Sequence, residues 1–147
     1  MKKTLLLITI IFSISGYGQD SPEAIVEKFF NDYKSNTDKA IDNLYSTNPW
    51  SKNLADAIGN MKREVNGYTE SYMGKYYGSE LITKQNCTES FVLFTYMAKY
   101  GRQPLKFAFE FYKPDKVWML YSFNINSTIE DDVEQAAKLY YLDQYKK

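Results

Sequence analysis

Histidine is absent from all 147 residues, which bounds the chemistry more tightly than any motif present. Without imidazole the chain lacks the usual general base near neutral pH, the Ser-His and Cys-His nucleophile systems and the commonest metal ligand. Carboxylates, tyrosines and lysines are what remain. Asp131 and Asp132 sit side by side, but in the first turn of a helix adjacent acids read as a solvated helix start rather than a metal site. Cys87 is the single cysteine, so no intramolecular disulfide can form. Its functional reading is a reactive or intermolecular thiol, and its plainer one a small apolar residue near a strand start. No glycine-rich phosphate loop, zinc spacing or calcium loop occurs, so neither cofactor nor metal is expected.

Tyrosine is the abundant polar group, with 14 in the chain. Phenol rings with one wet end suit interfaces and sugar-binding surfaces, and Tyr72, Tyr76, Tyr77, Tyr96, Tyr100 and Tyr112 all fall on predicted strands. Strand propensity alone also accounts for them.

The strands that position these rings form the clearest pattern in the sequence. FVLFTYMAKY (91–100), LKFAFEFY (105–112) and VWMLYSFNIN (117–126) are aromatic and β-branched runs separated by GRQP and KPDK, which predicts a three-stranded antiparallel meander. Alternation puts Leu105, Phe107, Phe109 and Phe111 on one face, against Lys106, Ala108, Glu110 and Tyr112 on the other. In the last run Val117, Met119, Tyr121, Phe123 and Ile125 share a face by the same count. Trp118 and Leu120 make its beginning apolar on both sides, so something must cover it there. YTESYMGKYYGSELITKQ (68–85) reads as a long, bent first strand in which Gly74 and Gly78 mark a bulge or a close backbone approach.

Helices precede the sheet. Ser21-Pro22 caps one that carries Ile25, Val26, Phe29, Phe30 and Tyr33 on one face. Thr37 is the expected cap of a second, with Ala40, Ile41, Leu44 and Tyr45 as its stripe, ending at Asn48-Pro49-Trp50. A third is expected from about Ser51 to Asn66-Gly67, with Leu54, Ala57, Ile58, Met61 and Val65 inward. A last helix, over about 128–145, has Ser127 and Glu130 as a capping box. Its stripe of Ile129, Val133, Ala136, Ala137, Tyr140 and Gln144 is widened by Leu139, Tyr141, Leu142 and Tyr145. Such a surface either sinks into a groove or meets a second subunit.

Lys2 and Lys3, an apolar run from Leu5 to Ile14 and small residues at Gly16 and Gly18 have the layout of a secretory signal peptide over residues 1–18, cut between Gly18 and Gln19. The apolar run spans only about half of a ~30 Å hydrocarbon core, so no stable membrane anchor is expected after its removal. Residues 19–147 then form one domain with its core over about 21–126, secreted or periplasmic. Without Lys2 and Lys3 the basic residues number 16 against 18 acidic, which argues against a nucleic-acid partner.

A capped helix, a second helix ending at Pro49-Trp50, a third helix, a glycine-containing strand, and a meander with the Tyr112-Lys113-Pro114 turn and a following Trp118 together resemble the nuclear transport factor 2-like superfamily, the ketosteroid-isomerase-like cone. The resemblance covers about 21–126, with FEFYKPDKVWMLYSFNIN the most family-like stretch, and is closest to small secreted bacterial members. It implies an α+β fold with N-terminal helices in the concave face of a curved antiparallel sheet, to which the C-terminal helix is an addition. Isomerase-like members use an acidic base on the cone wall with a tyrosine partner. Glu110, flanked by Ala108 and Tyr112 on its face, and Asp32 on the first helix are the local candidates, with Tyr112 alongside. The plainer reading of Glu110 is a surface carboxylate paired across strands with Lys99 or Lys106.

Function therefore reads as non-catalytic binding of a small apolar ligand or a protein partner. An isomerase- or dehydratase-type enzyme using a cavity carboxylate is the second reading, and a homodimer joined through the sheet face or last helix the third. A raised carboxylate pKa in a pocket would favour the enzyme, and a core packed solid with aromatics would tell against both enzyme and enclosed ligand.

Overall fold

The computed structural model describes residues 21–144, so the leader assigned to residues 1–18 lies outside the described residues. The chain is α+β: helices come first, then a four-stranded antiparallel sheet, then a C-terminal helix. Helix α1 runs Pro22–Tyr33, capped by the Ser21 side chain, which accepts from the Ala24 N–H. Its expected stripe of Ile25, Val26, Phe29, Phe30 and Tyr33 is buried throughout. Helix α2 spans Thr37–Ser46 and buries Ala40, Ile41 and Leu44. Its cap is Asn36 rather than Thr37: the Asn36 side chain accepts from the Lys39 N–H at 2.8 Å. Asn has the stronger capping preference, which leaves the Thr37 hydroxyl free to donate to Asn66 Oδ1.

Asn48-Pro49-Trp50 does not simply end α2. It opens a 3₁₀ turn, Pro49–Leu54, after which α3 runs Ala55–Asn66. Of the stripe expected on α3 only Val65 is buried; Ile58 and Met61 pack partly and Leu54 and Ala57 face solvent. The 3₁₀ turn accounts for Leu54, because its tighter winding rotates that residue out of phase with the helix that follows.

Strand β1 begins at Tyr76 rather than Tyr68 and runs to Thr88, preceded by a one-turn helix α4, Glu70–Met73, which takes Tyr72 off the sheet. Gly74 explains the break: at φ 76° it ends α4 where a side chain would be strained, and a Cβ there would stand 3.0 Å from the Gly101 Cα. Two backbone bonds lock the approach, Gly101 N–H to the Lys75 carbonyl and Arg102 N–H to that of Met73. Gly78, at φ 109°, sits at a register shift in β1, the expected bulge.

Strands β2 (Phe91–Tyr100) and β3 (Leu105–Tyr112) pair without a slip, Phe94 opposite Phe109 and Tyr96 opposite Phe107. Leu105, Phe107, Phe109 and Phe111 are all buried, as alternation requires. Strand β4, Met119–Asn126, departs from simple alternation. Ser122 faces Glu110 while Leu120 faces Phe111, so Tyr121 is an extra residue in a bulge. The inward set is therefore Leu120, Phe123 and Ile125, whereas Tyr121 and Val117 are exposed. The beginning of β4 is covered, by the end of α2: Asn48 Nδ2 donates to the Leu120 carbonyl at 2.8 Å, and the Leu120 N–H donates to Thr47 Oγ1 at 3.0 Å.

Between α1 and the sheet the space is filled by rings. Phe29 contacts Phe107, Phe109 and Phe123 with centroids 5.1–6.2 Å apart, and Phe30 contacts Tyr96, Phe107 and Phe109 at 5.1–5.8 Å. Most of these pairs meet edge to face, the arrangement ring quadrupoles favour. Helix α5, Ile129–Gln144, follows the sheet, and Thr128 rather than Ser127 holds the position before its first residue. Among the described residues no helix is long and apolar enough to cross a membrane.

Candidate functional site: a tyrosine-lined rim

The last turn of α1 brings Tyr33 to the end of β2, where its hydroxyl and that of Tyr100 share a hydrogen bond of 2.6 Å. Tyr100 lies opposite Tyr76 in the β1–β2 ladder, and the three rings pack together, Tyr33 to Tyr76 at 5.6 Å and Tyr76 to Tyr100 at 5.3 Å. Tyr68, just after α3, donates to Glu64 Oε1 at 2.8 Å. With Lys34, Thr37, Val65, Glu70 and Gly74 these four tyrosines line a pocket of about 170 Å³ at the edge of the sheet.

Two hydroxyls that share one hydrogen bond keep one O–H unspent. The Tyr76 hydroxyl is buried and has no hydrogen-bond partner among the described residues. Burial holds its pKa above the ordinary phenol value, and Ser79, the group that opposes this, stops short of hydrogen-bond geometry. Burial also raises Tyr33 well beyond that value, reinforced by Tyr100 next to it. Tyr100 is raised by burial and partly relieved by the Tyr33 bond, and Tyr68 is pushed far up by burial and by Glu64. All four rings are thus neutral phenols across the physiological range, able to donate and accept hydrogen bonds and unable to act as bases.

The residues singled out from sequence lie elsewhere. Glu110 and Tyr112 are on the face of β3 turned away from the phenylalanines, with Leu93 and Ser122 beside Glu110. Neither lysine expected to pair with Glu110 does so, because Lys99 bonds Glu80 and Lys106 bonds Asp132 at 2.7 Å. Asp32 braces α1 against α2: one oxygen accepts from Lys39 Nζ at 2.6 Å and the other from Asn43 Nδ2 at 2.7 Å. The Lys39 bond, then that of Asn43, holds its pKa below the ordinary carboxylate value. Cys87 is exposed near the end of β1, not small packing at a strand start. Among the described residues no three His, Cys, Asp or Glu side chains converge to hold a metal ion.

Tyr76, Tyr96 and Tyr100 were legible as strand tyrosines, but Tyr33 read only as the last member of a helix stripe. The signal that joins them is the β1–β2 hairpin, which sets Tyr76 against Tyr100, and it is readable only once the bulges in β1 are known. Compared with known proteins, the chain matches no family model, no curated protein and no solved structure.

Proposed function

We propose that this chain is an exported, non-catalytic binding domain of the nuclear transport factor 2-like type, and that it takes a single-ring, hydroxylated neutral molecule at the tyrosine rim. Helices followed by an aromatic antiparallel sheet, with α1 laid on the phenylalanine face, support the cone reading. The charged lysine-led start of the sequence supports export. Size supports the ligand class: an apolar cavity of about 150 Å³ holds benzene, so a pocket of about 170 Å³ matches one six-membered ring. Its wall offers ring surface and an unspent phenol O–H together, the combination that suits a pyranose or a phenol. Binding is favoured over acid-base chemistry because Asp32, whose pKa Lys39 holds below the ordinary carboxylate value, stands outside the rim and is tied to Lys39 and Asn43. The observation that carries the reading is the Tyr33–Tyr100 hydroxyl pair on the wall of a one-ring pocket.

Titration with methyl pyranosides and simple phenols, followed through the tyrosine ring signals by NMR, tests it. Saturable shifts of Tyr33, Tyr68 and Tyr100 are expected at millimolar probe, and Tyr33→Phe with Tyr100→Phe, which together remove the unspent O–H, should weaken binding about 2- to 10-fold, the worth of one hydrogen bond. Ring signals that stay still with every probe, or shifts confined to other surfaces, would sink the proposal.

A further inference from the structure

Helix α1 reaches the tyrosine rim at its C-terminal end, and between its flank and β1 lies a second, larger hollow. This groove, about 490 Å³ against about 170 Å³ at the rim, is lined by Glu27, Phe30, Asn31 and Lys34 of α1 and by Ser79 and Tyr96 of the sheet. Lys34 lines both hollows. From Lys34 back to Glu27 is two helical turns, about 10 Å, and a volume of about 490 Å³ is more than one ring needs. Gly78 also belongs to the wall, and the place its Cβ would take has no atom within 4 Å, so the bulge in β1 leaves that wall unfilled.

The lining is of the kind that meets several hydroxyl groups at once. Phe30 and Tyr96 pack with centroids 5.1 Å apart and supply ring surface. Beside them stand the Asn31 amide, the Ser79 hydroxyl and the Glu27 carboxylate, which between them donate and accept. Glu27 enters no ion pair among the described residues, whereas Glu23, at the far end of the groove, accepts from Lys84 Nζ at 2.5 Å and so ties α1 to β1. Glu23 and Glu27 balance Lys34 and Lys84, which disfavours an ion and suits a neutral polyol. Burial raises the Tyr96 pKa and both glutamates add to it, so its hydroxyl stays an O–H donor in their neighbourhood.

We propose that the ring held at the rim is the end unit of a short glycan, whose next unit lies in the groove between α1 and β1, its hydroxyls on Glu27, Asn31 and Ser79 and its face on Tyr96. This rests on the rim reading and narrows it, from a pyranose or a phenol alone to a saccharide of at least two units. A phenol would fill the rim and leave the polar groups of the groove unused. A linked pyranose brings neighbouring hydroxyls, and the two oxygens of one carboxylate accept from two of them together. Lys34, common to both hollows, stands where the linkage passes and can donate to an oxygen of either unit.

NMR titration with methyl glucoside, with the methyl glycosides of maltose and cellobiose, and with phenol tests it. Methyl glucoside should shift Tyr33, Tyr68 and Tyr100. One of the two disaccharide glycosides should shift those together with Tyr96 and the backbone signals of Asn31 and Ser79, and should bind about 10-fold more tightly, as one or two further hydrogen bonds allow. Glu27→Ala with Tyr96→Phe should abolish that gain and leave methyl glucoside binding as it was. Glu27 is exposed and Tyr96→Phe keeps the ring against Phe30, so the fold should survive both changes. Disaccharides that bind no tighter than methyl glucoside, a gain that survives the double variant, or shifts at Tyr96 with none at Tyr33 and Tyr100 would each overturn the two-unit proposal. Phenol shifting the rim where no saccharide does would overturn it and spare the rim, whereas stillness with every probe would sink both.

Discussion

Two aromatic regions of this molecule sit next to each other and behave differently. In the interior, Phe29, Phe107, Phe109 and Phe123 are buried with ring centroids 4.9–6.2 Å apart and carry no polar atom to satisfy. At the rim, Tyr33, Tyr68, Tyr76 and Tyr100 continue the same packing, yet each brings a hydroxyl that must be paired or left wanting. Tyr33 belongs to both, meeting Phe107 edge to face at 5.4 Å while bonding Tyr100 at 2.6 Å. Ring contacts alone hold a fold together, whereas ring contacts with unspent hydroxyls hold it together and can recognise something.

That contrast can be broken most forcefully from the inside. Phe109→Ala, at a residue with no exposure that packs on Phe29, Phe30 and Phe123, should lose about 3–5 kcal/mol of stability in urea unfolding. A loss under about 1 kcal/mol would mean the interior is not packed as described.

The rim should respond to hydroxyls rather than to volume. Tyr33→Phe alone removes the partner of Tyr100 and should cost about 1–3 kcal/mol, while Tyr33→Phe with Tyr100→Phe should cost less than the two single changes summed. Strict additivity in that cycle would deny that the two hydroxyls act as a pair.

A change of pH separates the regions without mutation. The folded phenols have pKa values above their unfolded value of about 10. Their contribution to stability is therefore complete below pH ~10 and declines as pH rises beyond it, because the unfolded chain releases protons first. Each such tyrosine adds up to about 1.4 kcal/mol of loss per pH unit, and Tyr33→Phe with Tyr100→Phe should flatten the slope. A stability flat to pH 12 in the wild-type chain would contradict their burial.

Smallest of all should be Glu110→Gln, on the far face of β3 with neither Lys99 nor Lys106 as partner. Stability within about 0.5 kcal/mol of wild type and unaltered probe binding at the rim are expected. A large change in either would draw the site back towards the outer sheet face.

How much of this was legible beforehand follows from the range of the forces involved. The buried phenylalanines of β3 and the stripe of α1 were readable because burial repeats every second or every 3.6 residues, a rule each segment obeys by itself. The rim was not, since the Tyr33–Tyr100 bond joins positions 67 residues apart and nothing local distinguishes those two phenols from Tyr77 or Tyr112.

From its residues alone this chain determined an antiparallel meander with one phenylalanine face, a capped amphipathic helix to lie on it, and a C-terminal helix with too much apolar surface for a single stripe. Only the tertiary structure decided that Tyr121 bulges outward, that Asn36 rather than Thr37 caps α2, that α4 replaces the first part of β1, and that four tyrosines meet at one rim. Periodicity is set by the backbone geometry of a single element. A bulge, a choice between neighbouring caps and a partner for a hydroxyl are settled by what another element, distant in sequence, places opposite.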